Sequence, residues 1–71
     1  MVNNLVSVII VSYNSSQFIV ETLDSISRQT WKDLELIITD DCSKDDTVEI
    51  CRNWLDNNSQ RFASSRIITS E

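Results

Sequence analysis

The run Val6-Ser7-Val8-Ile9-Ile10-Val11 is nearly continuous in apolarity and rich in β-branched residues. Strands of this kind are buried on both faces, as in parallel sheets, so a first strand is predicted over Val6 to Ser12. Asn14-Ser15-Ser16 then offers helix N-cap candidates. Phe18, Ile19, Thr22, Leu23 and Ile26 recur at helical spacing, while Glu21, Asp24 and Arg28 fall on the other side. An amphipathic helix is therefore predicted over Ser16 to Gln29. Trp31-Lys32-Asp33 makes a short connection, and Leu34 to Thr39 reads as a second strand. In the polar loop that follows, Ser43-Lys44-Asp45-Asp46 resembles a capping box with Asp in place of Glu or Gln. A second helix is predicted over Thr47 to Asp56, with Val48, Cys51 and Leu55 on one face, flanked by Trp54. Arg66 to Ser70 reads as a third strand, cut off at Glu71.

The order β-α-β-α-β implies an α/β fold with a parallel sheet. Crossovers between parallel strands are almost always right-handed. If the strands lie side by side in chain order, both helices cover the same face. The other face and at least one edge are then bare, although the strands are too apolar to face water. Residues 1–71 therefore read as the opening portion of a larger domain. Self-association through the bare face or edge is the corresponding expectation for the chain alone.

Composition narrows the chemistry. A chain of 71 residues holds one small domain and buries only roughly 60% of its unfolded surface. A net charge of −5 argues against a nucleic-acid partner and against binding to anionic lipid. There is no glycine and no proline, so neither a Rossmann fingerprint nor a P-loop can be written. Any nucleotide would be held by side chains and helix N-termini. With two cysteines and no histidine, no zinc site of Cys/His type can be assembled, and two free thiols in a reducing cytoplasm are expected. Neither a signal peptide nor a membrane span is expected.

The candidate chemistry lies in the acidic turn Asp40-Asp41-Cys42-Ser43 at the end of the second strand, and in Tyr13-Asn14 at the end of the first. Ligands of parallel α/β sheets bind at that rim, beyond the carboxyl ends of the strands. Asp45 and Asp46 are expected to complement the positive N-terminus of the next helix. Trp31 and Trp54 are expected to be packing residues. Without histidine there is no imidazole base, and Tyr13, Asp40 and Asp41 make no catalytic triad. Two other readings fit the acidic turn. One is a receiver-like α/β domain that binds Mg²⁺; the other is a small non-enzymatic interaction domain.

Val6 to Asn14 resembles the first strand of family 2 glycosyltransferases. Leu23-Asp24-Ser25-Ile26-Ser27-Arg28-Gln29-Thr30 is similar to the end of their first helix, and Leu34 to Thr47 to their second strand and acidic loop. The resemblance runs from about Leu5 to Ser70. It implies the opening half of a GT-A, Rossmann-like domain and the binding of a nucleotide-sugar donor, a UDP-sugar. It further implies that Tyr13 lies against the base and that Asp41 accepts the ring N–H of uracil. Asp40 would orient the loop or touch the nucleotide. The implied reaction is transfer of a sugar to the hydroxyl of a glycan or lipid-linked acceptor. In the full-length enzyme a divalent cation, Mg²⁺ or Mn²⁺, stabilises the departing diphosphate. The family's Asp-x-Asp metal motif and catalytic base lie beyond these residues, so neither a bound metal nor transferase activity is expected of this chain alone. The expected location is the cytoplasm, at the inner face of the membrane through sequence not present here. Val11 and Cys42 depart from the residues common in the family at those positions.

Overall fold

The computed structural model describes residues 5–70. The β-branched runs form three parallel strands in chain order, β1 (Val6–Ser12), β2 (Leu34–Asp40) and β3 (Ser64–Thr69). Helices α1 (Ile19–Ser27) and α2 (Thr47–Asn58) make the two crossovers, and a 3₁₀ turn, Ser59–Arg61, leads into β3. The β-α-β-α-β unit expected from the sequence is the one observed.

Strand β2 alternates along its length: Leu34, Leu36, Ile38 and Asp40 are buried, and Glu35, Ile37 and Thr39 are half-buried. Leu34, Leu36 and Ile38 meet Ile19 and Leu23 of α1, Cys51, Trp54 and Leu55 of α2, and Phe62. Full burial of a Leu or Ile side chain contributes about 1.5–3 kcal/mol, so Leu23, Leu36 and Ile38, all at 0% exposure, anchor the fold. The Trp54 indole N–H donates to Asp24 Oδ1 at 2.8 Å and ties α2 to α1, and its ring lies 5.9 Å from that of Phe62. The opposite face of the sheet is bare, with Ile9 at 63% and Val11 at 74% exposure.

Element ends differ from the sequence reading for local reasons. α1 has nine residues and begins after Phe18 rather than at Ser16. Its first turn hangs on the Ser15 carbonyl, which accepts from the N–H groups of Phe18 and Ile19. The amides of Ser15 and Ser16 are taken by side chains of the second loop, so Asn14-Ser15-Ser16 does not act as an N-cap cluster. Phe18, placed on the apolar stripe by spacing, is exposed. With no glycine to end it, α1 is closed from a distance. The Arg61 guanidinium donates to the carbonyls of Ser27 (2.8 Å), Gln29 (2.7 Å) and Trp31 (2.7 Å). α2 runs on to Asn58, with the Asn57 and Asn58 amides donating to the carbonyls of Asn53 and Trp54. β3 starts two residues early because Ser64 and Ser65 pair with Glu35 and Leu36. Trp54 packs in the core, whereas Trp31 is about half exposed.

Candidate functional site

The three strands end level, with Ser12 opposite Asp40 and Asp40 opposite Thr69. The loop after β1 and the loop after β2 therefore stand side by side on one rim. Tyr13 leaves β1 with 54% of its surface exposed. Asp41 leaves β2 with its side chain exposed and its N–H donating to the Ser12 carbonyl at 2.8 Å. Two of the three residues singled out by sequence are thus presented to solvent on adjacent strand ends.

Asp40 is placed differently. It ends the inward row of β2 and is only 2% exposed. Its Oδ1 accepts from the hydroxyls of Ser12 (2.7 Å) and Ser43 (2.5 Å), and its Oδ2 accepts from the Ser43 N–H (2.7 Å). Burial pushes the carboxyl up, but the Ser43 hydroxyl and amide and the Ser12 hydroxyl outweigh it and hold the pKa below the ordinary value. Hydrogen bonds to the charged form of a carboxylate favour that form. Asp40 is thus an ionised, buried centre around which the acidic turn is wound.

The same turn shows why the capping-box reading fails. Ser43 is drawn to Asp40, and α2 begins at Thr47 under the Asp45 carboxylate. That carboxylate accepts from the Thr47 N–H at 3.0 Å and from the Thr47 hydroxyl. Its other oxygen accepts from the Ser16 N–H at 3.3 Å, at the turn leading into α1. The Thr47 hydroxyl in turn accepts from the Ser15 N–H at 2.8 Å. These bonds, that of the Thr47 hydroxyl first, lower the Asp45 pKa to about 2. One carboxylate thus links the first amide of α2 to the turn leading into α1.

Asn14 completes the link between the loops. Its N–H donates to the Ser43 hydroxyl at 2.8 Å, and its side-chain oxygen accepts from the Lys44 N–H at 2.8 Å. Asn14 (φ 47°) and Cys42 (φ 59°) both adopt the left-handed conformation, which glycine takes most easily and which Asn tolerates. Ser12, Asn14, Ser43, Asp45 and Thr47 were missed as a group by the sequence reading. Their one visible trace was a density of Ser, Asn and Asp in two loops, which reads equally well as two local caps.

Among the described residues, no group of three or more His, Cys, Asp or Glu side chains is placed to hold a metal ion. Asp40 and Asp45 are engaged by the hydrogen bonds above. Cys42 and Cys51 are free, one exposed and one buried. Burial, helped by the nearby Asp40 charge, raises the Cys51 pKa. No helix among the described residues is long and apolar enough to cross a membrane.

Comparison with known proteins gives a single answer. The profile of glycosyl transferase family 2 matches residues 7–68. The chain is 50% identical over 46 residues to the Escherichia coli UDP-Glc:alpha-D-GlcNAc-diphosphoundecaprenol beta-1,3-glucosyltransferase WfaP; the match covers 65% of this chain and 18% of that protein. It is 43% identical over 63 residues to the E. coli chondroitin synthase, covering 87% of this chain and 9% of the synthase. It is 39% identical over 49 residues to glycosyltransferase GlyG of Streptococcus pneumoniae, covering 69% of this chain and 16% of GlyG. The chain thus spans less than a fifth of each of these relatives. No solved structure matches it.

Proposed function

The chain belongs to glycosyl transferase family 2, and from that membership we propose that it is the nucleotide-binding opening of an enzyme that transfers a sugar from a UDP-sugar to an acceptor hydroxyl. The observation that carries the reading is the division of labour in the acidic turn. Asp40 is buried and hydrogen-bonded, while Asp41, beside it, is exposed on the same rim as Tyr13. An ionised carboxylate accepts hydrogen bonds and cannot donate. Uracil N3 carries a donor and the equivalent cytosine nitrogen does not, so Asp41 selects uracil over cytosine. Tyr13 supplies an aromatic face for the base, a contact that in single-stranded nucleic-acid binding is worth about 1–3 kcal/mol. Asp40 acts on the nucleotide by holding the loop that carries Asp41.

The divalent cation associated with the family has no ligand set among the described residues. The same point weighs against a receiver-like Mg²⁺ site, which needs free clustered carboxylates. Residues 1–71 form the opening of a larger domain, the acceptor is a glycan or lipid-linked glycan, and the setting is cytoplasmic, in keeping with two free thiols. By itself the chain transfers no sugar; turnover of a UDP-sugar by the purified chain would overturn that statement. The bare face, with Ile9, Val11 and Ile68, is a surface for self-association of the isolated chain. A monomer mass in light scattering at high concentration would refute it.

Calorimetric titration with UDP tests the central claim. Loss of a hydrogen bond to a charged group costs about 1.5–3 kcal/mol, so Asp41→Ala is expected to weaken UDP binding by roughly 10- to 100-fold. CDP should bind weakly to both proteins. Equal UDP affinity for the two would remove Asp41 from the site.

A further inference from the structure

The two loops form a closed bracket. On one side run Ser12, Tyr13 and Asn14; on the other run Asp41, Cys42 and Ser43. The first rung is the Asp41 N–H on the Ser12 carbonyl at 2.8 Å, doubled by the Ser12 hydroxyl on Asp40 at 2.7 Å. The second rung is made by Asn14. Its N–H reaches the Ser43 hydroxyl at 2.8 Å, and its side-chain oxygen takes the Lys44 N–H at 2.8 Å. Tyr13 lies between the rungs on one side, and Asp41 with Cys42 on the other. Both sides turn through a left-handed residue, Asn14 and Cys42. The Ser43 hydroxyl is itself aimed by Asp40, to which it donates at 2.5 Å.

We propose that Asn14 is a positioning residue for nucleobase recognition: it closes the bracket that sets Tyr13 and Asp41 at a fixed spacing before the ligand arrives. The proposal rests on the nucleotide reading above and goes beyond it, since Asn14 need not touch the base. Asparagine meets both demands of the position. It tolerates a positive φ, and its short side chain carries an acceptor that reaches neighbouring backbone. Without the Asn14 side-chain bond the loops are held beyond Tyr13 by the Asn14 N–H on Ser43 and by the more distant Ser15–Thr47 and Ser16–Asp45 bonds. Part of their ordering then falls to the binding step and weakens it.

Two variants separate positioning from mere support of the fold. Asn14→Gly keeps the left-handed backbone and the N–H bond to Ser43 and loses only the side-chain acceptor. Asn14→Asp keeps the acceptor. Three quantities are measured on each and on the wild type: the urea midpoint, the ¹⁵N order parameters of the Tyr13 and Asp41 amides, and the UDP affinity. Expected for Asn14→Gly is a modestly lower midpoint, as the lost Lys44 bond and the freer glycine backbone require, with order parameters falling toward the flexible range below about 0.6 and UDP binding about five- to tenfold weaker. Asn14→Asp is expected to recover most of both losses. A wild-type chain that binds no UDP sinks the nucleotide reading, and the proposal built on it, by a result that does not involve Asn14. With UDP bound by the wild type, unchanged order and affinity in Asn14→Gly, or an Asn14→Asp variant as impaired as Asn14→Gly, overturns the role of Asn14 alone.

Discussion

Replacing Asp40 by alanine is the sharpest perturbation of the rim. Three donors lose their acceptor at once: the hydroxyls of Ser12 and Ser43 and the Ser43 N–H. Ser12 is 2% exposed, so no water replaces its partner, and an unsatisfied buried donor costs about 1–3 kcal/mol. Ser43 is half-buried; water can reach it, and its two bonds account for about 0.5–1.5 kcal/mol each. The sum is about 2–6 kcal/mol. For 71 residues a typical total stability is about 4–10 kcal/mol, so the variant should lose a fifth or more of it. Its melting temperature should fall by more than about 10 °C. Asp40→Asn keeps one acceptor oxygen and turns an amide donor toward Ser43 or Ser12, and should fall between wild type and alanine. Urea unfolding reports this through the fluorescence of Trp54, which is buried against Phe62. An Asp40→Ala variant within about 1 kcal/mol of wild type would refute the view that the turn is wound on this carboxylate, since even the Ser12 donor alone carries that much.

The remaining predictions concern the other long-range contacts. Arg61→Ala frees the carbonyls of Ser27, Gln29 and Trp31 and should cost about 2–3 kcal/mol in the same assay. Arg61→Lys should recover little of it, because a point charge does not replace a planar fork of donors; full recovery by lysine would refute the geometric account. The depressed pKa of Asp45, about 2 against an ordinary 3.8, links stability to pH. A group whose folded pKa is lowered contributes fully above its unfolded value and loses that contribution as pH falls through the folded one. Stability should therefore decline between about pH 4 and pH 2, as the lowered pKa values of Asp40 and Glu35 also require. Asp45→Asn should flatten that decline; an unchanged slope would show that Asp45 is not the group responsible. Asp41→Ala, described above, should lower UDP affinity with little change in urea midpoint, since its exposed carboxylate takes no part in the network that holds the turn.

The strands were legible because nothing else in the chain resembles them. Val6–Val11 and Leu34–Thr39 are the densest β-branched and aliphatic runs, and a chain with helical spacing between them has few folds open to it. The rim was legible as a position, and Tyr13 and Asp41 stand on it as expected. The work of its other residues was not legible. Ser, Asn and Asp next to a predicted helix read as local caps, and here the same groups bond across loops about 30 positions apart. Nothing in a single chain distinguishes a serine that caps its own helix from one that is drawn to a neighbouring strand's aspartate. The start of α1 was misplaced for that reason, and the start of β3 because Ser64 and Ser65 carry no strand signal of their own. Arg61 was not singled out, since the end of α1 that it closes lies more than 30 residues earlier.

The cross-loop bonds share one more property. From Ser7 on Glu35 to Arg61 on Ser27, the side-chain bonds that join one strand–helix unit to the next span 28 to 34 positions. Each unit is therefore finished by its successor: the entry to α1 by the second loop, its exit by the turn before β3. Such a chain gains little from forming its pieces separately, because non-local contacts stabilise only after the intervening loop has closed. During synthesis the first strand and helix must wait, unsealed, until about thirty further residues have emerged.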